Sequence, residues 1–389
     1  MTAAPIKLGI AGLGRAFSLM LPTFLNDPRI RITAGCDPRE QARRQFAADF
    51  SAPAFSEVRE LAQSGDVDVV YIASPHQFHA EHVRVVASEG KHILLEKPMA
   101  ISMAECDEII EACEKYGVRI VVGHCHSFDQ PYLETRKIID SGKFGRVRQL
   151  SAWNFTDFLY RPRRPEELDT SQGGGVVFSQ GAHQIDILRM LAGSDVVNLR
   201  AVMGKWDPSR PTEGVYSALF WFEDGAFASA TYSGYAHFDS DLWMEGRGEM
   251  GQRKDFSQYA LARRKLQQIS PEIEAQLKTR ATYGGSEFKL EKPPFERSHQ
   301  HFGPMLVSCE HADLRPLPDR VEIYADFQKE ALELAQPAFP RKEVIDELEQ
   351  AVVHGRKTLH DGYWARKTLQ VCLAMLESAR TGKDVAIPS

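Results

Sequence analysis

The chain has 389 residues, of which 43% are hydrophobic and 26% are charged, as is typical of globular proteins and not of disordered, fibrous or membrane-spanning chains. It has 47 basic and 53 acidic residues and hence a net charge of −6, which argues against binding nucleic acid through a cationic surface. At roughly 100–200 residues per domain, this length predicts two domains.

The cysteines and the N-terminus predict a cytoplasmic protein. No two cysteines form a Cys-x-x-Cys pair, so we expect reduced thiols and no structural disulfides. Residues 1–7 lack the layout of a signal peptide. No apolar run reaches the roughly 18–20 residues of a membrane span, and we therefore expect no membrane partner. The six cysteines are Cys36, Cys106, Cys113, Cys125, Cys309 and Cys372.

The first 125 residues alternate short apolar strands with helices. Strands are predicted at 6–11, 29–35, 67–73, 92–95 and 119–122, and helices at 16–25, 40–50, 78–90 and 103–117. The strands consist mostly of Val, Ile and Leu, which is typical of strands that are buried on both faces. This alternation predicts an α/β domain with a doubly wound parallel sheet over residues 1–125.

The pattern changes after about residue 125. A helix is predicted at 131–142, a strand at 147–158, a hairpin at 215–222 and 226–235, and a last helix at 364–381. Asp224–Gly225 is a strong turn signal between the hairpin strands and indicates an antiparallel sheet. We expect residues 126–389 to form a second α/β domain. Within it, 239–300 is predicted to be an irregular insertion with one amphipathic helix at 258–278 and with His299 and His301 on the surface.

A glycine-rich turn joins the first strand to the first helix. Gly12 permits the tight turn, Gly14 lets the backbone approach a pyrophosphate, and the helix N-terminus attracts that anion. The third position of the motif is Phe17, which predicts looser packing of the helix on the sheet. Asp37, after the second strand, can bind the adenosine ribose and repel a 2′-phosphate, which favours NAD, although Arg39 keeps NADP open.

Further segments follow in a recognisable order. Ser74–His79 (SPHQFH) follows the third strand, and Glu96–Pro98 (EKP) follows the fourth. Glycines 173–175 precede Gly181–Asp186 (GAHQID). With the glycine turn and residues 377–383, these segments resemble the Gfo/Idh/MocA family of NAD(P)-dependent oxidoreductases. The resemblance covers nearly the whole chain except 239–300. It implies an N-terminal NAD-binding Rossmann domain and hydride transfer at a carbon that bears a hydroxyl. It also implies an open, mainly antiparallel C-terminal sheet that often serves as a subunit interface, so we expect a homo-oligomer.

The resemblance also implies which residues act. Lys97 and His183 match the catalytic lysine and histidine of the family, Ser179 stands where the family usually has Asp, and Asp186 matches a second acidic position. On an α-helix Ser179, His183 and Asp186 would share one face. His183 is suited to accept the hydroxyl proton, whereas Lys97 either polarises the substrate oxygen or itself acts as the base.

The expected binding residues divide into two sets, and no metal ligands are expected, because His124 and His126 lack an obvious third ligand. The expected cofactor-binding residues are Gly12, Leu13, Gly14, Arg15, Ala16, Asp37, Ser74, Pro75, His76, His79, Glu96 and Lys97. The expected substrate-binding residues are His126, Asn154, Arg161, Arg163, Arg164, Ser179 and His183.

The arginine-rich loop at 160–165 (YRPRRP) bears on the substrate. Arginines pair with carboxylates and phosphates, so the loop points to a small anion such as a dicarboxylate. The alternative is a solvated basic loop neutralised by acidic neighbours. With 154–158 and 232–239, the loop resembles the phthalate 4,5-cis-dihydrodiol dehydrogenases of the family. This implies oxidation of a cis-dihydrodiol to a catechol, 4,5-dihydroxyphthalate, in aromatic degradation. A sugar or inositol dehydrogenase and a non-catalytic dinucleotide-sensing protein stay open as rivals.

Overall fold

A computed structural model describes residues 4–290, 292 and 297–388. The described residues form two compact units. The first contains the described residues of Met1–His124, Ala275–Phe295 and Phe339–Leu369. The second contains those of Cys125–Glu274, Glu296–Ala338 and Gln370–Ser389. None of the helices in the described ranges is both long enough and apolar enough to cross a membrane.

The strands and helices are numbered along the chain. The strands are β1 Ile6–Ala11, β2 Ile30–Cys36, β3 Ala54–Phe55, β4 Val69–Ile72, β5 His92–Leu95, β6 Ile120–Val122, β7 Val147–Phe155, β8 Val196–Gly204, β9 Val215–Phe222, β10 Phe227–Ser233, β11 Met305–Cys309, β12 Ala312–Leu317, β13 Arg320–Ala325, β14 Lys329–Glu333 and β15 Val385–Ala386. The α-helices are α1 Arg15–Asn26, α2 Glu40–Phe50, α3 Val58–Ala62, α4 His79–Ser88, α5 Met103–Tyr116, α6 Gln130–Asp140, α7 Ala182–Ala192, α8 Leu261–Leu266, α9 Pro271–Arg280, α10 Lys342–Val352 and α11 Gly362–Thr381.

The first unit is built on a parallel sheet of six strands in the order β3-β2-β1-β4-β5-β6. Every pair of neighbouring strands is parallel, and this confirms the predicted doubly wound α/β domain. Because β1 lies between β2 and β4, the strand order reverses there, and ligands of such sheets bind in the crevice at the carboxyl ends of these strands. The glycine turn after β1 therefore lies at the expected ligand site.

Phe17 does not loosen the packing of α1, so that prediction is wrong. Its ring is fully buried and lies 6.5 Å from the Phe46 ring and 5.1 Å from the Tyr283 ring, centroid to centroid. A Cβ at Gly35 would lie 2.9 Å from the Phe46 ring, so the absent side chain on β2 makes room for the aromatic cluster. Tyr283, from the segment expected to be an irregular insertion of the second domain, thus belongs to the core of the first unit.

The second unit is built on a sheet of nine strands in the order β14-β13-β12-β11-β7-β10-β9-β8-β15. Only the pairing of β7 with β10 is parallel, and the other pairings are antiparallel, so the sheet is mainly antiparallel, as predicted. The predicted hairpin is β9 and β10, with Gly225 at a φ of 88° in its turn. Helices α6 and α7 pack on one face of the sheet.

Two features of the second half of the chain differ from the predictions. The single amphipathic helix at 258–278 is wrong: α8 ends at Leu266, and Pro271 begins α9, because proline is favoured in the first turn of a helix and disfavoured in its interior. His299 and His301 are buried and not on the surface. The six cysteines are free thiols, as expected.

Candidate active site

The glycine turn of the first unit fits a dinucleotide. Gly12 has a φ of 101°, and a Cβ at this position would lie 2.8 Å from the carbonyl of Ala73, so only glycine is accommodated. A Cβ at Gly14 would have no atom of the described residues within 4 Å, which leaves its backbone open to a ligand. Helix α1 begins at Arg15 with no acidic residue in its first turn, so its N-terminal N–H groups favour an anion.

Asp37 is buried directly after β2 and is fixed by hydrogen bonds. Its Oδ2 accepts the backbone N–H of Leu13 at 2.8 Å. Its Oδ1 accepts the backbone N–H and the Nε of Arg39, both at 2.9 Å. A carboxylate at the end of β2 is the group that binds the adenosine ribose in dinucleotide sites. The donor set of turn, helix N-terminus and Asp37 therefore suits NAD.

His79, expected near the cofactor, is fully buried within the first unit. Its Nε2 lies 3.0 Å from the Ser74 carbonyl oxygen, and its Nδ1 lies 3.1 Å and 3.2 Å from those of Pro98 and Met99. Burial lowers the pKa of His79 to about 4, so the imidazole is neutral at pH 7. It links the loop after β4 to the loop that carries Lys97.

Lys97 and Glu96 follow β5 and differ in their surroundings. The Glu96 carboxylate is buried and accepts the hydroxyl of Tyr71, and burial raises the pKa of both groups. Lys97 is half-buried, as expected when successive side chains point to opposite sides of the chain. Glu96 thus anchors the end of the strand from within, whereas Lys97 is only partly buried.

His183 lies in the first turn of α7 and is buried. The preceding turn, Val177–Gly181, is a π-helix, which has more residues per turn than an α-helix. The predicted α-helical spacing from Ser179 to His183 is therefore wrong, whereas His183 and Asp186 both lie in α7. Ser179 is half-buried, while the Oε1 of its neighbour Gln180 accepts the hydroxyl of Tyr232 at 3.3 Å.

His126 lies between two carboxylates in the second unit. Its Nδ1 is 2.6 Å from Asp129 Oδ2, and its Nε2 is 3.4 Å from Glu249 Oε1. Burial lowers the pKa of His126, but the two carboxylates outweigh this effect, so the pKa is raised. Burial likewise raises the pKa of Glu249, but His126 and Arg161 hold it well below its usual range. The two carboxylates therefore favour the protonated form of this buried imidazole.

The His183 ring packs on this charged group. The centroids of the His126 and His183 rings are 4.7 Å apart, at an interplanar angle of 67°. The Phe302 ring packs against both imidazoles, with its centroid 5.0 Å from that of His126 and 5.1 Å from that of His183. The hydroxyl of Ser127 donates to Asp186 on α7. The turn that carries His126 is therefore joined to the helix that carries His183.

Arg161 is the arginine of the predicted cationic loop that reaches this cluster. Its Nε donates to Asp157 Oδ1 at 2.8 Å, and its Nη2 lies 3.4 Å from Glu249 Oε2. Burial lowers the pKa of Arg161, but Glu249 and Asp157 outweigh this and raise it, so the guanidinium is charged. Its side chain remains 41% exposed.

Arg163 and Arg164 have different surroundings. The guanidinium of Arg163 lies 3.7 Å from the centroid of the Phe158 ring and donates to the Phe158 carbonyl at 2.8 Å. Burial lowers the pKa of Arg163 to about 10. The backbone N–H of Arg164 donates to Glu167 at 2.8 Å. Of the three, only Arg161 contacts the His126 cluster within the described residues.

The sequence predicted Asn154 as a site residue, but Glu249 and Phe302 of the His126 cluster carry no signal in it. Asn154, predicted to bind substrate, is buried, and its Oδ1 accepts the Ser240 hydroxyl at 3.0 Å. Glu249 comes from the segment expected to be irregular, and Phe302 from just beyond it. Asp129, three residues after His126, was the one partner that local spacing could have indicated.

Comparison with known proteins agrees with this architecture. Residues 6–124 match the model of the oxidoreductase family with an NAD-binding Rossmann fold, and residues 132–253 match the GFO/IDH/MocA C-terminal domain. The chain is 44% identical to a 1-carboxy-3-chloro-3,4-dihydroxycyclohexa-1,5-diene dehydrogenase of Comamonas testosteroni, over 96% of this chain and 95% of that protein.

Two further comparisons extend this finding. The crystal structure of a putative dehydrogenase from Bordetella bronchiseptica superimposes with a TM-score of 0.92 at 43% identity and covers 98% of this chain and 100% of that one. An inositol 2-dehydrogenase of Salmonella typhimurium is 29% identical over 49% of this chain and 55% of that protein. With the glycine turn, Asp37 and both matched domains, the chain belongs to the Gfo/Idh/MocA family of oxidoreductases, with NAD as its cofactor.

Proposed function

We propose that this protein is an NAD-dependent dehydrogenase that oxidises a carboxylated cyclic cis-dihydrodiol to a catechol. The observation that carries this proposal is the 44% identity, over 96% of the chain, to a dehydrogenase named for a carboxylated ring with two adjacent hydroxyl groups. The dihydrodiol of phthalate, with two carboxylates and 4,5-dihydroxyphthalate as its product, is the specific substrate that we propose to test first.

The reaction removes a hydride and a proton from one carbinol group. When bound, NAD accepts the hydride. We assign His183 to accept the hydroxyl proton and Lys97 to supply positive charge to the same oxygen, as the family resemblance implies. The ketone that forms tautomerises to the catechol: a proton leaves the neighbouring carbinol carbon, and the ketone oxygen takes up a proton. Aromatisation draws the reaction forward. We also propose that Asn154 and Ser179, two of the expected substrate contacts, provide polar groups that bind the substrate.

Arg161 is the group of this charged cluster that we propose binds a carboxylate of the substrate. Arg161 is charged, partly exposed and connected through Glu249 to His126, whose ring contacts His183. A carboxylate of the substrate would share the Arg161 guanidinium with Asp157 and Glu249, because arginine has five donor N–H groups. Arg163 packs on Phe158 and shapes the loop, and Arg164 is left as a second contact for a dicarboxylate.

The assay that tests this proposal measures NADH formation at 340 nm with three substrates. We expect turnover of phthalate 4,5-cis-dihydrodiol or of a monocarboxylated dihydrodiol, and none of myo-inositol. Turnover of inositol alone would favour the sugar or inositol dehydrogenase, which the 29% identity to an inositol 2-dehydrogenase supports over half of the chain. Binding of NADH without turnover of any of the three would favour a dinucleotide-sensing protein.

We also propose that the sheet of the second unit is covered by a second copy of this chain. Its outer face carries exposed apolar side chains on three neighbouring strands, among them Val202, Leu219, Trp221 and Phe227, and Trp221 pairs directly with Phe227. A contiguous apolar patch of this kind marks an interaction surface. Light scattering should show an oligomer for the wild type and a smaller species for Leu219→Lys with Trp221→Glu. A monomeric wild type would contradict the proposal.

A further inference from the structure

The segment 281–288, which we term the Tyr283 segment, is anchored on the first two helices of the first unit. The backbone N–H of Tyr283 donates to the Ser18 hydroxyl at 3.0 Å, and its phenol donates to Asp49 Oδ2 at 2.6 Å. The ring is 1% exposed and packs edge-on against Phe17. Gly284, with a φ of 75°, lies so close to α2 that a Cβ would come within 2.6 Å of the Ala42 Cα.

This segment contacts Arg39. The Nη1 of Arg39 lies 3.4 Å from both Thr282 Oγ1 and the Tyr283 carbonyl oxygen, and its Nη2 donates to the Leu13 carbonyl at 2.8 Å. The remaining donors of the guanidinium face Asp37 at 2.9 Å and 3.0 Å. The arginine is therefore held between the glycine turn, Asp37 and the Tyr283 segment.

Three of the four N–H groups that Asp37 accepts belong to Arg39, and the fourth belongs to Leu13. A ribose hydroxyl that binds this carboxylate therefore shares its oxygens with Arg39. An adenosine 2′-phosphate would need a cation that is free to pair with it. Arg39 can meet that need only by leaving Asp37, the Leu13 carbonyl and the Tyr283 segment together.

We propose that the Tyr283 segment determines the preference for NAD over NADP by holding Arg39 on Asp37. Tyr283 anchors the segment on α1 and α2. Thr282 Oγ1 and the Tyr283 carbonyl oxygen contact Arg39. The proposal concerns the cofactor alone and does not depend on the identity of the diol.

The experiment measures the dissociation constants of NADH and NADPH by fluorescence titration of the full chain, without a second substrate. The variants are Tyr283→Ala, Thr282→Val, Arg39→Ala and the double variant Tyr283→Ala with Arg39→Ala. We expect the wild type to bind NADH more tightly than NADPH. Tyr283→Ala should shift the ratio of the two dissociation constants toward NADPH by about tenfold, because Arg39 loses hydrogen bonds that hold it on Asp37. Thr282→Val should shift the ratio in the same direction but less.

The double variant is the matched control, because the gain in NADPH binding requires the released Arg39. The double variant should therefore bind NADPH no more tightly than the wild type does. An equal NADPH gain in the double variant would overturn the proposal, and so would a wild type without preference for NADH. If Tyr283→Ala does not fold, as judged by circular dichroism, Thr282→Val decides, and an unchanged ratio in that variant rejects the proposal. A failure of the dihydrodiol assay with these shifts present would leave the inference standing and refute only the proposed substrate.

Discussion

The imidazole of His126 lies edge-on against that of His183, with ring centroids 4.7 Å apart, while its own nitrogens face Asp129 and Glu249. The two histidines thus have different surroundings. His126 lies between two carboxylates that favour its protonated form, whereas His183 lies in the first turn of α7. This difference favours a structural and electrostatic role for His126 and leaves His183 for the proton transfer.

Replacing His183 should remove the proposed base and keep the cofactor site. We expect His183→Asn to lower kcat with the diol by about 10²–10⁴-fold, the usual contribution of general base catalysis. The dissociation constant for NADH should stay within about twofold, because the glycine turn and Asp37 lie in the other unit. Undiminished kcat in a folded His183→Asn protein would reject the assignment.

The ion pair between His126 and Asp129 should make stability depend on pH. The pKa of His126 is raised in the folded state, so the proton stabilises the fold fully below the unfolded value of about 6.5 and this stabilisation is lost as pH rises through the folded pKa. The melting temperature of the wild type should therefore fall above about pH 6.5. Asp129→Asn should lower the melting temperature at pH 6 and flatten this dependence. Parallel curves for the two proteins would contradict the ion pair.

Replacing Arg161 should mainly affect substrate binding, whereas replacing Arg163 should mainly affect stability. Arg161→Gln should raise KM for a carboxylated diol by about tenfold or more, because a hydrogen bond to a charged group contributes about 1.5–3 kcal/mol. Arg163→Gln, the matched control, removes the contacts with Phe158 and should lower the melting temperature by a few degrees with a smaller effect on KM. A KM that changes in Arg163→Gln and not in Arg161→Gln would show that Arg161 does not bind the substrate carboxylate.

The two glycines of the cofactor turn should respond differently to alanine. Gly12→Ala places a Cβ 2.8 Å from the Ala73 carbonyl at a φ of 101° and should destabilise the fold by more than the roughly 1–2 kcal/mol of an unfavourable φ. Gly14→Ala adds a methyl group to open space and should keep the melting temperature while weakening NADH binding. Calorimetry measures the melting temperatures of the two variants, and fluorescence titration measures their affinity for NADH. Unchanged NADH binding in Gly14→Ala would show that the pyrophosphate does not bind at this glycine.

The first unit was predictable because its signals are local. The buried strand runs and the Gly12 turn each depend on a few adjacent residues, and β1, β5 and α2 have the predicted bounds. The prediction of looser packing at Phe17 failed because Phe46 and Tyr283, which surround its ring, are distant in sequence. The π turn before His183 was also missed, since it inserts a residue without changing the apolar pattern.

The residues around His126 illustrate the same limit. Glu249 and Phe302 come from segments that lack periodicity, and only the tertiary fold brings them to this imidazole. The arginine-rich loop was found in the sequence, but its partners Asp157 and Glu249 were not. The arginines of the loop therefore looked equivalent in the sequence, although Arg161 contacts Glu249 and Arg163 packs on the Phe158 ring.

The most direct test of the proposed function uses a carboxylated cis-dihydrodiol with deuterium at the reacting carbinol carbon. The proposed function predicts equal amounts of catechol and NADH, with the deuterium in the NADH and a slower rate than with the unlabelled diol if hydride transfer limits turnover. Absence of NADH and catechol with either the mono- or the dicarboxylated diol, from a protein that binds NADH, would contradict it.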